Sequence, residues 1–235
     1  MITLIVLLVT PSGSGLLPAV ALTGFVVLGV AVTFLVSWGL SSTILKGEMS
    51  SFALELPFYR CPNLGHVVVR SVLDRTIFVL GRAVAVAAPA GAVIWLFTQV
   101  HAGDVTLLQY LAQSLDGFGL IIGVNGTFIL ALMLGFPANE LVIPLTLMIV
   151  GTGFGLGNEV ATGTVVEILM ATGWTWKTAL CAMVLMLFHW PCSTTCLTIY
   201  QETKSARWTA LAFFLPTSFG VVLSLVCNGL LKLLP

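Results

Sequence analysis

A chain of 235 residues that is 58% hydrophobic and only 8% charged, with a mean hydropathy of +1.10, is not built for water. Soluble domains carry about 25% charged residues, so this composition excludes a soluble enzyme or regulator and identifies an integral membrane protein. Formal net charge is zero, and no cluster of basic and aromatic side chains is present, which excludes a nucleic-acid partner.

In chain order, the first apolar run covers residues 2–9 and ends at "PSGSG". It has the core of a signal peptide but lacks the basic residue that normally precedes one. The tail of a preceding membrane helix fits the same residues equally well. Residues 16–45 form the first clear span, long enough to cross roughly 30 Å of hydrocarbon. Residues 46–66, "KGEMSSFALELPFYRCPNLGH", are more polar, and Pro57 and Pro62 exclude a continuous helix there.

Between residues 67 and 81, Val68, Val69, Val72, Leu73, Ile77 and Leu80 alternate with Arg70, Asp74 and Arg75 at helical spacing. This predicts an amphipathic helix along the membrane surface. A second span follows over residues 83–100, interrupted by Pro89. Lys46, Arg60, Arg70, Arg75 and Arg82 all fall between the two spans, so the connection is expected on the cytoplasmic side. The next stretch holds His101, Asp104 and Asp116 but no Lys or Arg before Lys177, and "VTLLQYLAQSLDGFG" reads as a short interfacial helix. The final span is expected over about residues 208–231, and the orientation after the second span stays open.

Two segments carry polar chemistry at membrane depth. In "GFPANE", residues 135–140, Glu140 lies between two apolar runs of about ten residues. Neither run spans a bilayer alone; together they form a broken helix or a re-entrant hairpin. A charge at the bilayer centre costs about 2.5–3.5 kcal/mol on insertion scales, so Glu140 is expected to face a polar path or a partner. Gly135 and Pro137 free backbone carbonyls, and a new helix starts near Ala138 or Asn139. A structural account also exists, in which Asn139 caps that helix and Glu140 sits in its first turn.

The second segment is "FHWPCSTTC", residues 188–196. If residues 192–200 are helical, Cys192 and Cys196 share a face, with His189 three positions ahead of Cys192. Thiolate and imidazole suit Fe(II), Zn(II) or Cu(I). The competing account has the thiols packed against neighbouring helices and His189 bonded to a backbone carbonyl. Five cysteines is an odd number, and four of them, Cys181, Cys192, Cys196 and Cys227, lie in apolar sequence, so they are read as free thiols rather than a disulfide framework. The glycine-rich "GTGFGLGNE", with Asn158 and Glu159, lacks the Lys-Ser/Thr ending of a P-loop. With Glu167 it reads as a solvated loop, and no nucleotide site is expected. Interruptions at Pro137 and Pro191 match the paired half-helices that build midplane sites in transporters.

The block "KGEMSSFALELPFYRCP" at residues 46–62 resembles the cytoplasmic connector of the ferrous iron transport protein B family, through Glu55, Leu56, Pro57, Tyr59, Arg60 and Pro62. "GFPANELVIP" is similar to a gate-type, or nucleoside-recognition-type, segment of that family, and "FHWPCSTTCLTIYQETKSARWTALAF" to its late Pro-Cys segment. The resemblance implies an all-α, polytopic helical membrane protein with proline-broken or re-entrant helices. Its parts would be N-terminal membrane segments at 1–45, a cytoplasmic connector with an amphipathic helix at 46–82, and a gate-type membrane domain at 83–235.

It further implies a permease for Fe(II) in the cell inner or plasma membrane, crossing several times, with Fe(II) as the transported ion and no permanently bound cofactor. No enzymatic chemistry is implied. The resemblance carries the metal path onto Glu140 and Cys192, and Asn139, His189 and Cys196 join them as candidates from the reading of the residues themselves. The family often has a less basic residue at the position of His189. Family proteins begin with a GTP-binding domain, a helical regulatory domain and a first gate-type half. This chain matches only the C-terminal membrane half, so the expected partners are membrane lipid and a GTPase-containing half, with room for a homo-oligomer. The alternatives are transport of a nucleoside-like polar solute and a non-transporting membrane assembly subunit.

Overall fold

The computed structural model describes residues 16–43, 63–70, 73, 76–102, 105–153 and 165–233. The polar connector, the N-terminal apolar run and the glycine-rich loop with Asn158 and Glu159 lie outside the described residues. The remainder is helical except for a two-residue antiparallel pair, β1 (His101–Ala102) and β2 (Val105–Thr106).

Helix α1 (Leu16–Thr43) and the last helix, α10 (Ala206–Leu233), are the two described helices long and apolar enough to cross a membrane. Each has 28 residues, about 42 Å at the helical rise. Over the expected amphipathic stretch the described residues are helical: α2 (Leu64–Arg70), π-helical residues at 73 and 76–77, then α3 (Phe78–Gln99). The apolar stretch expected as the second span is helical over Ala83–Gln99, shorter than α1.

"VTLLQYLAQSLDGFG" is not a peripheral surface element. It forms most of α4 (Leu107–Ile122), which buries Leu108, Ala112, Gly119 and Ile122 while leaving Tyr110 and Phe118 exposed. Thr106 caps it reciprocally: its hydroxyl accepts from the Gln109 N–H, and the Thr106 N–H donates to Gln109 Oε1. The helix ends at Gly123, whose φ of +92° is left-handed.

From there the chain turns by 106° into α5 (Gly126–Leu134). Asp116 closes this corner, its Oδ1 accepting from the Gly126 N–H at 2.7 Å. Glycine is required at 126, because a Cβ there would run into the Ala112 carbonyl and lie 2.6 Å from the Asp116 nitrogen. A 3-10 turn (Asn139–Leu141) precedes α6 (Val142–Gly153), which packs on α5 and also reaches β2, so the chain doubles back. Then follow α7 (Val165–Ala171), α8 (Trp176–Leu187), α9 (Ser193–Thr203) and α10.

The core lies among α4, α5, α6, α7, α8 and α10, centred on Phe128, Ile122, Val142, Leu169 and Ala182. Phe128 meets Trp174 edge to face at 5.6 Å. Helix α4 ends with free carbonyls, and α10 supplies their donors. Asn228 Nδ2 donates to Leu120 O and Ile121 O, while buried Ser224 Oγ is within hydrogen-bond distance of Ile122 O and Cys181 O. Ser224→Ala is expected to cost about 1–2 kcal/mol, read as a lower thermal midpoint in one detergent.

Candidate cation site

The stretch around Pro137 leaves helical geometry at Gly135, and α6 does not resume until Val142. Ala138, in an extended conformation, caps the short 3-10 turn, and no side chain makes a capping hydrogen bond there. Asn139 is therefore not the cap, in contrast to the structural account open at the sequence level. Its Oδ1 is buried without a hydrogen-bond partner. The backbone at Ala138 already leads into the turn, so the amide side chain is left to face inward. Glu140, next along, is exposed.

The second interruption runs from Phe188 to Cys192, between α8 and α9. His189 Nδ1 lies 2.7 Å from Met186 O. A carbonyl can only accept, so Nδ1 carries the hydrogen and Nε2 keeps its lone pair. That Nε2 is buried and has no partner. The histidine–carbonyl bond thus forms, and it orients the ring rather than exhausting it.

These two interruptions touch. The Ser193 N–H donates to Phe136 O at 2.9 Å, and Ser193 Oγ approaches Pro137 O at 3.5 Å. Phe213 of α10 braces both, stacked on Trp190 at 5.7 Å and edge-on to Phe136 at 5.8 Å. A backbone of α10 lies close behind them, since a Cβ at Gly220 would sit 2.8 Å from Phe188 O.

A cavity of about 280 Å³ opens beside the joined interruptions, lined by Phe25, Asn139, Glu140, Met183, Met186, Leu187 and His189. Its volume is that of several waters. Three sequence-predicted residues, Asn139, Glu140 and His189, meet there although His189 is far away in sequence. Between them these residues carry an amide, a carboxylate and an imidazole, and Asn139 Oδ1 and His189 Nε2 are buried with no hydrogen-bond partner among the described residues. The surrounding walls are hydrocarbon and thioether.

Cys192 and Cys196 do not line this cavity. Cys192 precedes α9 as its N-cap residue, and its Sγ bonds with Thr194 Oγ1 at 3.0 Å and Thr195 Oγ1 at 3.1 Å. Cys196 Sγ donates to Pro191 O at 3.6 Å. Helix α9 begins at Ser193, and the Cys196 N–H donates to Cys192 O at 3.0 Å, so the two cysteines stand one helical turn apart at its start. Among the described residues, no three His, Cys, Asp or Glu side chains converge closely enough to hold a metal ion. Sequence reasoning missed Met183 and Met186, whose three-residue spacing to His189 was the available signal.

Comparison with known proteins places these features. The nucleoside-recognition "Gate" family model matches residues 80–206, more than half of the chain, and both interruptions fall inside that match. The ferrous iron transport protein B C-terminus model matches residues 22–74. An Fe(2+) transporter FeoB of Staphylococcus aureus (strain MSSA476) is 30% identical over 208 residues, covering 85% of this chain and 30% of the relative. The corresponding protein of Helicobacter pylori (strain ATCC 700392 / 26695) is 21% identical over 241 residues, covering 85% of this chain and 37% of its own length. That of Synechocystis sp. is 27% identical over 170 residues, covering 70% and 26%. The chain thus spans about a third of the length of these relatives. No solved structure matches it. With an apolar helical fold, a Gate region over the two joined interruptions and a transporter-type C-terminal segment ahead of it, the chain belongs to the Gate family and represents the C-terminal membrane region of the ferrous iron transport protein B type.

Proposed function

We propose that the chain is the membrane permease portion of a ferrous iron transporter, and that Fe(II) passes through the cavity at the joined interruptions. The observation that carries this reading is the convergence of unpartnered acceptors. Asn139 Oδ1 and His189 Nε2 are both buried without donors, and Glu140 adds a carboxylate. A buried polar atom left unsatisfied costs about 1–3 kcal/mol, and a cation bound between Asn139 and His189 would offset that cost for both, with the exposed Glu140 carboxylate supplying charge. Fe(II) accepts both oxygen and imidazole ligands.

Cys192 is assigned a place beside the cavity rather than in it. It is held at the mouth of α9 by two threonine hydroxyls, next to the Ser193 link between the interruptions. Cys196, turned to Pro191 O, is a weaker participant. The apolar spans α1 and α10 support a multi-pass position in the inner or plasma membrane. Coupling to a GTPase would come from sequence beyond this chain's matched third of its relatives. The reaction is translocation, without covalent chemistry on the cargo.

The test is anaerobic uptake of Fe(II) into proteoliposomes, with this chain alone and together with a GTPase-containing N-terminal half. The pair is expected to move Fe(II) and the chain alone to move little. Cys192→Ser is expected to slow the pair by a few-fold only, since a hydroxyl keeps the threonine contacts. A pair that moves a nucleoside and leaves Fe(II) outside would overturn the assignment.

A further inference from the structure

The cavity contains a second donor set that the iron reading does not use. Met183 is 4% exposed, Met186 is half-buried, and both line the cavity with His189. The three recur at intervals of three, so α8 and its unwound end present them on one side. Methionine at such positions usually fills irregular gaps in a core. Here its neighbours argue for more. The His189 ring is tied through Nδ1 to the carbonyl of Met186 itself, and its Nε2 is buried with no hydrogen-bond partner among the described residues.

We propose that Met183, Met186 and His189 form a site for a soft monovalent d10 cation, Cu(I) or its analogue Ag(I), within the cavity. The inference rests on the reading of this cavity as a cation site and adds to it a second class of ion. Thioethers select Cu(I) among the biological metals, and two sulfurs with one imidazole nitrogen satisfy its low coordination number. Charge argues the same way. Desolvation cost rises with the square of ionic charge, so neutral donors in an apolar-walled cavity favour a monovalent ion over a divalent one. The one carboxylate at hand, Glu140, neutralises a single positive charge. Cu(I) therefore competes with the ferrous cargo for His189, while Asn139 Oδ1 and Glu140 serve the harder ion. No electron moves, and the metal enters and leaves as the same ion.

The experiment is a silver titration of the full chain in detergent, labelled with 13C at the methionine methyl groups. Accessible thiols are first alkylated with N-ethylmaleimide. The chain has seven methionines, so five serve as internal references. Met183→Leu and Met186→Leu assign the two signals, with Met183→Ile and Met186→Ile as substitutes where a leucine variant does not fold. Both signals are expected to shift together in the wild-type chain while the other five hold still. His189→Gln should raise the silver concentration required about tenfold. Silver uptake that leaves both signals unmoved, or that moves all seven alike, overturns the site. The readout needs no transport, so the two readings fail separately. Unmoved methionine signals beside Fe(II) flux that depends on Glu140 would remove only the soft-cation site. Shifted signals beside Fe(II) flux indifferent to Glu140 would remove only the iron path.

Discussion

Glu140→Gln is expected to reduce Fe(II) flux through the reconstituted transporter by about 10–100-fold, the range seen when groups supporting a metal site are removed. Glutamine keeps the size and one acceptor oxygen but removes the formal charge that Glu140 brings to the described lining of the cavity. Because Glu140 is exposed, the substitution should leave the fold intact, and the thermal midpoint should stay within about 2 °C of the parent. Asn139→Leu tests the same cavity from the buried side. It removes an acceptor that has no hydrogen-bond partner among the described residues. It should therefore lower flux without the stability loss that normally follows deletion of a buried hydrogen-bonding group. Uptake assays paired with thermal unfolding separate these outcomes. Glu140→Gln with parental flux would contradict the role assigned to the carboxylate.

Gly126→Val is expected to be the most damaging single change to the fold, at about 3 kcal/mol or more. A Cβ at this position meets backbone atoms, the Ala112 carbonyl and the Asp116 nitrogen, as well as Asp116 Oδ1. Backbone in a packed helix cannot yield as the end of a flexible side chain can. The corner between α4 and α5 would open, and Asp116 would lose the Gly126 N–H it accepts from. Gly117→Ala, nine residues earlier, is the control. Nothing lies within 4 Å of the added Cβ, and alanine inside a helix gains up to about 1 kcal/mol over glycine. Melting both variants in the same detergent checks the contrast, and equal midpoints would mean the corner is not as tightly closed as described.

Long apolar runs made α1, α3 and α10 readable, because hydrophobic length is a local property of the chain. The interruption near Pro137 was readable for a similar reason: glycine and proline act on their own neighbours. What escaped was set by contacts between distant residues. Asp116, one of the acids in the stretch without Lys or Arg, closes the turn into α5. Ser224 and Asn228 lie inside the last apolar span. They supply donors to the end of α4, more than 100 positions away.

At the candidate site, residue types were legible and their grouping was not. Sequence could place Asn139 with Glu140, and His189 with Cys192. Sequence could not show that the two interruptions adjoin, which the Ser193–Phe136 hydrogen bond and the shared Phe213 contacts reveal. It also could not show that Pro191 separates the partners. His189 goes to the cavity with Asn139 and Glu140, while Cys192 turns to the threonines of α9.

The most direct measurement is anomalous X-ray scattering at the iron edge from crystals loaded anaerobically with Fe(II). The account predicts a peak inside the cavity, within ligand distance of Asn139 Oδ1, His189 Nε2 and the Glu140 carboxylate. Iron density found only at the thiols of Cys192 and Cys196, with this cavity empty of metal, would contradict it.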